Sequence, residues 1–227
     1  MNSLYIAIAP VVVIIVYIYY RDKYEKEPKK LLIKALVGGM LVTFPLFFVE
    51  QILGGFSIGM PKIGAAFYNA FFVASLMEEA FKYLAFYLLI WDDKNFNELF
   101  DGIIYAVYIS LGFATIENIM YVISYGEGTG ILRAFTAVPA HALFGIVMGY
   151  YFGLAKFIPS LKKKFLIMAI LIPFVLHGIY DFLLMSGNEW LMLLFIPFVI
   201  FMWIYGFKKM KLHSENSIYK DNPELNA

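Results

Sequence analysis

Glu78 and Glu79 stand side by side, with Lys82 four and three positions further on, inside the apolar run Ile63–Trp91. A charge at the centre of a bilayer-spanning helix costs about 2.5–3.5 kcal/mol on insertion scales, so such residues mark a site or a pathway. On a helix advancing about 100° per residue, Lys82 projects about 40° from Glu78 and about 60° from Glu79, on the opposite side of it. Lys82 therefore lies between the two carboxylates and can pair with either. One ammonium for two carboxylates leaves a proton to be shared, and a carboxyl group in that condition suits general acid or base work near neutral pH.

Three further polar groups fall inside other apolar runs: Glu117-Asn118, His141, and His177 with Asp181. His177 and Asp181 are one helical turn apart, so they share a face and the carboxylate can fix the imidazole's tautomer. Each group has a structural alternative. An ion pair stitching helices is the alternative for Glu78, Glu79 and Lys82, although adjacent carboxylates make an inefficient staple. His141 can be a hydrogen-bonded core histidine, His177–Asp181 a structural pair, and Glu117-Asn118 interhelical polar glue. Glu50 and Lys34, near run ends, read as side chains snorkelling to the interface.

The chain has no cysteine, which removes disulfides, thiolate nucleophiles and Cys-based metal sites. Ser75 lies one turn before Glu79 but nothing singles it out over water. Two water-activating schemes stay open. In one, a carboxylate of the Glu78/Glu79 pair deprotonates water while His177 and neighbouring donors stabilise an oxyanion. In the other, His141, His177 and a carboxylate such as Glu78 or Glu117 bind zinc, which acidifies the water. A His-Glu-x-x-His helix is absent. A proton- or ion-coupled transporter would also use buried Glu, His and Lys, but no paired halves or broken helices suggest inverted repeats.

These residues need elements that hold them at lipid depth. The 227 residues are 62% hydrophobic and 15% charged, against roughly 25% charged in soluble domains. Apolar runs cover Leu4–Tyr20, Leu31–Leu53, Ile63–Trp91, Gly102–Ser124, Ala134–Phe157, Phe165–Ser186 and Trp190–Phe207. Seven spans follow, and they must be helices because lipid offers backbone groups no partner. Residues 1–207 form one transmembrane helical domain, and the polar stretch 208–227 reads as a flexible cytoplasmic tail. Of eighteen Lys and Arg residues, fourteen fall in one set of connections and two, Lys62 and Arg133, in the other. The N-terminus is therefore expected outside and the C-terminus in the cytoplasm. In that orientation Glu78, Glu79 and His177 sit near mid-membrane, with Glu117 and His141 in the outer third. One polar chamber opening outward would collect them all. A net charge of +1 gives no strong pull on nucleic acid.

The chain resembles the PrsW family of bacterial intramembrane proteases, distant relatives of the CAAX prenyl endopeptidases. The resemblance rests on Arg21-Asp22-Lys23-Tyr24-Glu25-Lys26-Glu27-Pro28, Glu78-Glu79-Ala80-Phe81-Lys82 and Asp101-Gly102-Ile103-Ile104-Tyr105. It continues through Leu111-Gly112-Phe113-Ala114-Thr115-Ile116-Glu117-Asn118, Ala140-His141-Ala142 and His177-Gly178-Ile179-Tyr180-Asp181-Phe182. Ala106 stands where a glycine is expected. The resemblance implies a multi-pass protein of the bacterial cell membrane that makes the first cut in a single-span anti-sigma factor during a stress response. It also implies that Glu78, Glu79 and His177 are catalytic, with Lys82, Glu117, Asn118, His141 and Asp181 in support.

Overall fold

The computed structural model describes residues 3–220, and all its regular elements are helices. Among the described residues, six stretches are long and apolar enough to cross a membrane. In chain order the helices are α1 (Ser3–Arg21), α2 (Lys29–Gly54), α3 (Lys62–Tyr68), α4 (Leu76–Leu89), α5 (Leu99–Tyr125), α6 (Glu127–Phe135), α7 (Ala137–Phe157), α8 (Lys162–Met185), α9 (Glu189–Leu193) and α10 (Phe195–Glu215). The multi-pass helical architecture expected from the apolar runs is the one observed.

The third apolar run is not one regular helix. A π-helical segment, Asn69–Ser75, joins α3 to α4, and the charged trio occupies the first two turns of α4. Because of its charges and its break, this run is the one that length and hydropathy leave outside the six. Lys34, expected to snorkel, donates to the Leu89 carbonyl at 2.9 Å and caps the end of α4.

Helix α5 is the axis of the bundle. Every residue from Phe100 to Thr115 is buried, as expected of a helix that is apolar all round. It packs against α7, α2 and α1. Glycines set how closely: a Cβ at Gly149 would strike the backbone of Gly102 and Ile103, and one at Gly39 would strike the Ile109 carbonyl. Such close backbone approach is how membrane helices gain dispersion contacts without a hydrophobic driving force. Around this core α1, α2 and α10 leave large apolar side chains exposed, among them Val13, Phe48 and Ile204, consistent with faces turned to lipid.

Residues 208–215, read from the sequence as part of the tail, are helical. α10 continues to Glu215. His213 is buried, with Nδ1 2.9 Å from the Leu99 carbonyl and its ring stacked on Tyr150, and Ser217 donates to Glu98. These contacts order a polar sequence that has no apolar pattern of its own. Residues 221–227 of the expected tail lie outside the described residues.

Candidate active site

The π-helical segment sets the approach to the charged trio. Ser75 at its end donates to the Phe174 carbonyl of α8 at 2.6 Å, so its hydroxyl serves as a tether. Gly178 of α8 lies flat against the Phe71 ring, where no Cβ fits. Together these bring α4 and α8 close just before Glu78 and Glu79. Widened turns of this kind recur at functional sites because they re-aim the side chains that follow.

Glu79 and Lys82 are 0% exposed and Glu78 is 5% exposed, so charge on them has to be answered from within the protein. Lys82 does so from between the carboxylates: its Nζ lies 3.1 Å from Glu78 Oε2 and 2.9 Å from Glu79 Oε1. The placement matches the helical spacing. The same ammonium lies 3.2 Å from His141 Nδ1 and over the Phe113 ring. Neither contact was legible from α4 alone.

From this centre polar contacts run in two directions. On α8, His177 Nδ1 is 2.9 Å from Glu79 Oε1 and its Nε2 is 3.3 Å from Asp181 Oδ2, with the ring stacked on Phe144. On the other side, His141 Nε2 is 2.8 Å from Glu117 Oε2. Arg133 Nη2 approaches the same oxygen at 2.8 Å, an ion pair rather than an aligned hydrogen bond. Arg133 Nε donates to Asn118 Oδ1 at 3.0 Å, and Asn118 Nδ2 donates to the Ala7 carbonyl of α1 at 2.8 Å. All eight residues singled out in the sequence thus fall in one connected cluster. Carboxylates are set between Lys82, His177 and Arg133 along it, and His141 joins Lys82 to Glu117.

Glu78, Glu117, His141, His177 and Asp181 line one cavity of about 640 Å³ that reaches the end of the bundle opposite the basic connections. Glu79 and Lys82 lie behind this wall. Two further charged residues line the cavity, Glu50 and Arg133. Glu50 was expected at the interface and instead faces the chamber from α2. Arg133 was counted as a loop charge. It lies on the short helix α6, whose exposed Leu132 and Phe135 betray a surface-lying amphipathic turn; that alternation was the available signal.

Ligand atoms of Glu78, Glu79 and His141 come within 4.8 Å of one another. Glu79 Oε2 is buried without a hydrogen-bond partner, a lone pair available to a cation. Two carboxylates and an imidazole form a donor set that a divalent transition metal accepts; the Lys82 ammonium, bonded to all three, would have to turn aside to admit the ion. His177 adjoins this group at Glu79, and Glu117 lies on the far side of the His141 ring.

A second acidic group lies at the basic end. Ligand atoms of Glu25, Glu27 and Asp101 also come within 4.8 Å. Tyr105 donates its hydroxyl to Glu27, and Asn97 Nδ2 donates to Glu25 Oε1 at 3.1 Å. Asp101 accepts the backbone N–H groups of Asn97 and Glu98, capping α5. Burial, followed by the Asp101 charge, pushes the Glu27 carboxyl up to about 11, and burial raises Asp22 to about 7.

Fold and site together define a multi-pass membrane protein with a buried carboxylate–histidine centre inside a polar chamber. The chain matches the model of the PrsW family intramembrane metalloproteases over residues 27–205. It is 41% identical over 211 residues to a protease PrsW of Oceanobacillus iheyensis, covering 93% of this chain and 95% of that one. Similar proteins of the same name occur in Geobacillus kaustophilus, 37% identical over 204 residues (90% and 88% covered), and Bacillus subtilis, 34% over 205 (90% and 92% covered). No solved structure matches the chain. The chain belongs to the PrsW family of intramembrane proteases and is a peptidase of the bacterial membrane.

Proposed function

We propose that the protein makes the first, site-1 cut in a single-span anti-sigma factor, using water activated at the Glu78/Glu79 centre. Supporting this reading above all is the cavity that brings Glu78 together with His141 and His177 from separate helices. The chamber reaches the end opposite the basic connections. With the Lys62–Leu89 helix as a seventh span and the positive-inside orientation, that end is extracytoplasmic. A substrate would there present the flank of its single helix.

Glu78 is the carboxylate on the cavity wall. Its Oε2 is held by Lys82, leaving Oε1 to take the proton of the attacking water. Glu79 lies behind it and fixes both Lys82 and His177. His177 has a carboxylate oxygen against each ring nitrogen. It is placed to hold a proton at Nδ1 or Nε2 and to donate it to the developing oxyanion or the departing amine. In the alternative, metal-dependent scheme Glu78, Glu79 and His141 would hold a zinc ion, whose contribution when bound is to acidify water.

Reconstitution with a single-span anti-sigma substrate tests this reading. Wild type is expected to cut it, whereas Glu78→Ala, Glu79→Ala and His177→Ala each abolish the cut; cleavage surviving all three sinks the assignment. Zinc analysis of the preparation, with chelation and add-back, is expected to show loss and recovery of activity.

A further inference from the structure

His141 has donors and acceptors fixed on both ring nitrogens. The Lys82 ammonium can only donate, so Nδ1, 3.2 Å away, accepts. Nε2 therefore carries the hydrogen and donates to Glu117 Oε2 at 2.8 Å. This tautomer turns the Nδ1 lone pair, engaged by Lys82, towards the side where Glu78 and Glu79 lie. Glu117 fixes the ring from its far nitrogen, opposite the Lys82 contact. The Glu117 side chain is 20% exposed and lines the cavity, so a second partner is needed to hold it against the ring.

Arg133 supplies the restraint. Its Nη2 meets Glu117 Oε2, the same oxygen that serves His141, at 2.8 Å. The guanidinium is in turn fixed by Asn118 Oδ1 and by the Tyr121 face, 3.9 Å from the ring centroid, and Asn118 is anchored to the α1 backbone. We propose that Arg133 is a positioning residue that acts through Glu117 to aim His141 Nδ1 at the glutamate pair. The same contact keeps Glu117 engaged beyond the His141 ring, so it does not compete as a ligand of its own. Partners that orient a ligand histidine from its far nitrogen typically alter metal affinity or activity by about 10–100-fold when removed. This inference rests on the reading of Glu78, Glu79 and His141 as the metal-holding group.

The test compares wild type with Arg133→Met, Arg133→Lys, Glu117→Gln and the Arg133→Met/Glu117→Gln double variant, purified in detergent. Zinc affinity is read by competition with a chromophoric chelator, kcat and KM on a reconstituted single-span substrate, and folding by thermal unfolding. Glu117→Gln is expected to weaken zinc binding and lower kcat by about 10–100-fold; Arg133→Met should do the same to a smaller extent with KM little changed, and Arg133→Lys should recover part of both. In the Glu117→Gln background Arg133→Met should add little, because the residue through which it acts is already disabled. Wild-type affinity and kcat in Arg133→Met, a rise in KM alone, or full additivity in the double variant would each overturn the proposal. Should Arg133→Met fail to fold, Arg133→Lys in both backgrounds carries the same comparison. If wild type binds no zinc, the metal reading falls by itself, and the kcat comparison still decides the role of Arg133.

Discussion

Two groups of buried carboxylates, one at each end of the bundle, answer the same electrostatic difficulty in different ways. In and just behind the chamber, Glu78, Glu79, Glu117 and Asp181 are interleaved with Lys82, His177 and Arg133, and His141 joins Lys82 to Glu117. At the basic end Glu25, Glu27 and Asp101 crowd together, and their partners include a phenol, an amide and backbone N–H groups. The first group sets basic side chains between its carboxylates. The second sheds charge by keeping a proton on Glu27. Interleaved charge can act on a substrate, since water or a peptide can be polarised by it. A protonated pair closes the α1–α2 connection onto the start of α5 and offers little to chemistry.

Substitutions can break or sharpen that contrast. The largest effect is expected for Glu78→Gln and Glu79→Gln, which remove charge where charge is used: cleavage should fall by about 10²–10⁴-fold, as for loss of a general base. Glu27→Gln, the matching change at the other end, should leave the cleavage rate near wild type in the same assay. Lys82→Met comes next. It strands two buried carboxylates, and breaking a buried pair from one side costs about 3–5 kcal/mol, read as a lower unfolding temperature in detergent.

A smaller effect separates the groups by pH. An unfolded Glu27 ionises above about 4.5, whereas the folded carboxyl holds its proton up to about 11. The folded state then binds more protons than the unfolded one, so this group's contribution favours folding at low pH and is lost as pH rises through that window. Glu27→Gln should flatten the fall in unfolding temperature on the alkaline side; an unchanged slope would show that Glu27 is ionised in the fold. Smallest of all, Tyr105→Phe removes one hydrogen bond to Glu27 and should cost about 0.5–1.5 kcal/mol.

Much of this site was legible in the sequence because helices make spacing into geometry. Lys82 between Glu78 and Glu79, and Asp181 one turn from His177, follow from the helical repeat alone and are found so. The common chamber followed from depths counted along the apolar runs. What spacing does not carry is rotation between helices, which depends on contacts such as Gly149 on Gly102. For that reason the His141–Lys82 contact and the turn of Glu50 towards the cavity had no sequence signal. Arg133 was hidden differently: loop charges are counted for orientation, and α6 was too short to read as an element. The docking of His213 and Ser217 was equally invisible, since isolated polar residues show no periodicity.

The most direct measurement is the position of the cut in proteoliposomes holding the protein and a single-span substrate tagged at both ends, with product masses compared between wild type, Glu78→Gln and Glu79→Gln. A cut in the substrate's extracytoplasmic flank that disappears in both variants is the predicted result. A cut on the side of the Lys- and Arg-rich connections, or one that persists in both variants, would contradict the placement of catalysis in the chamber.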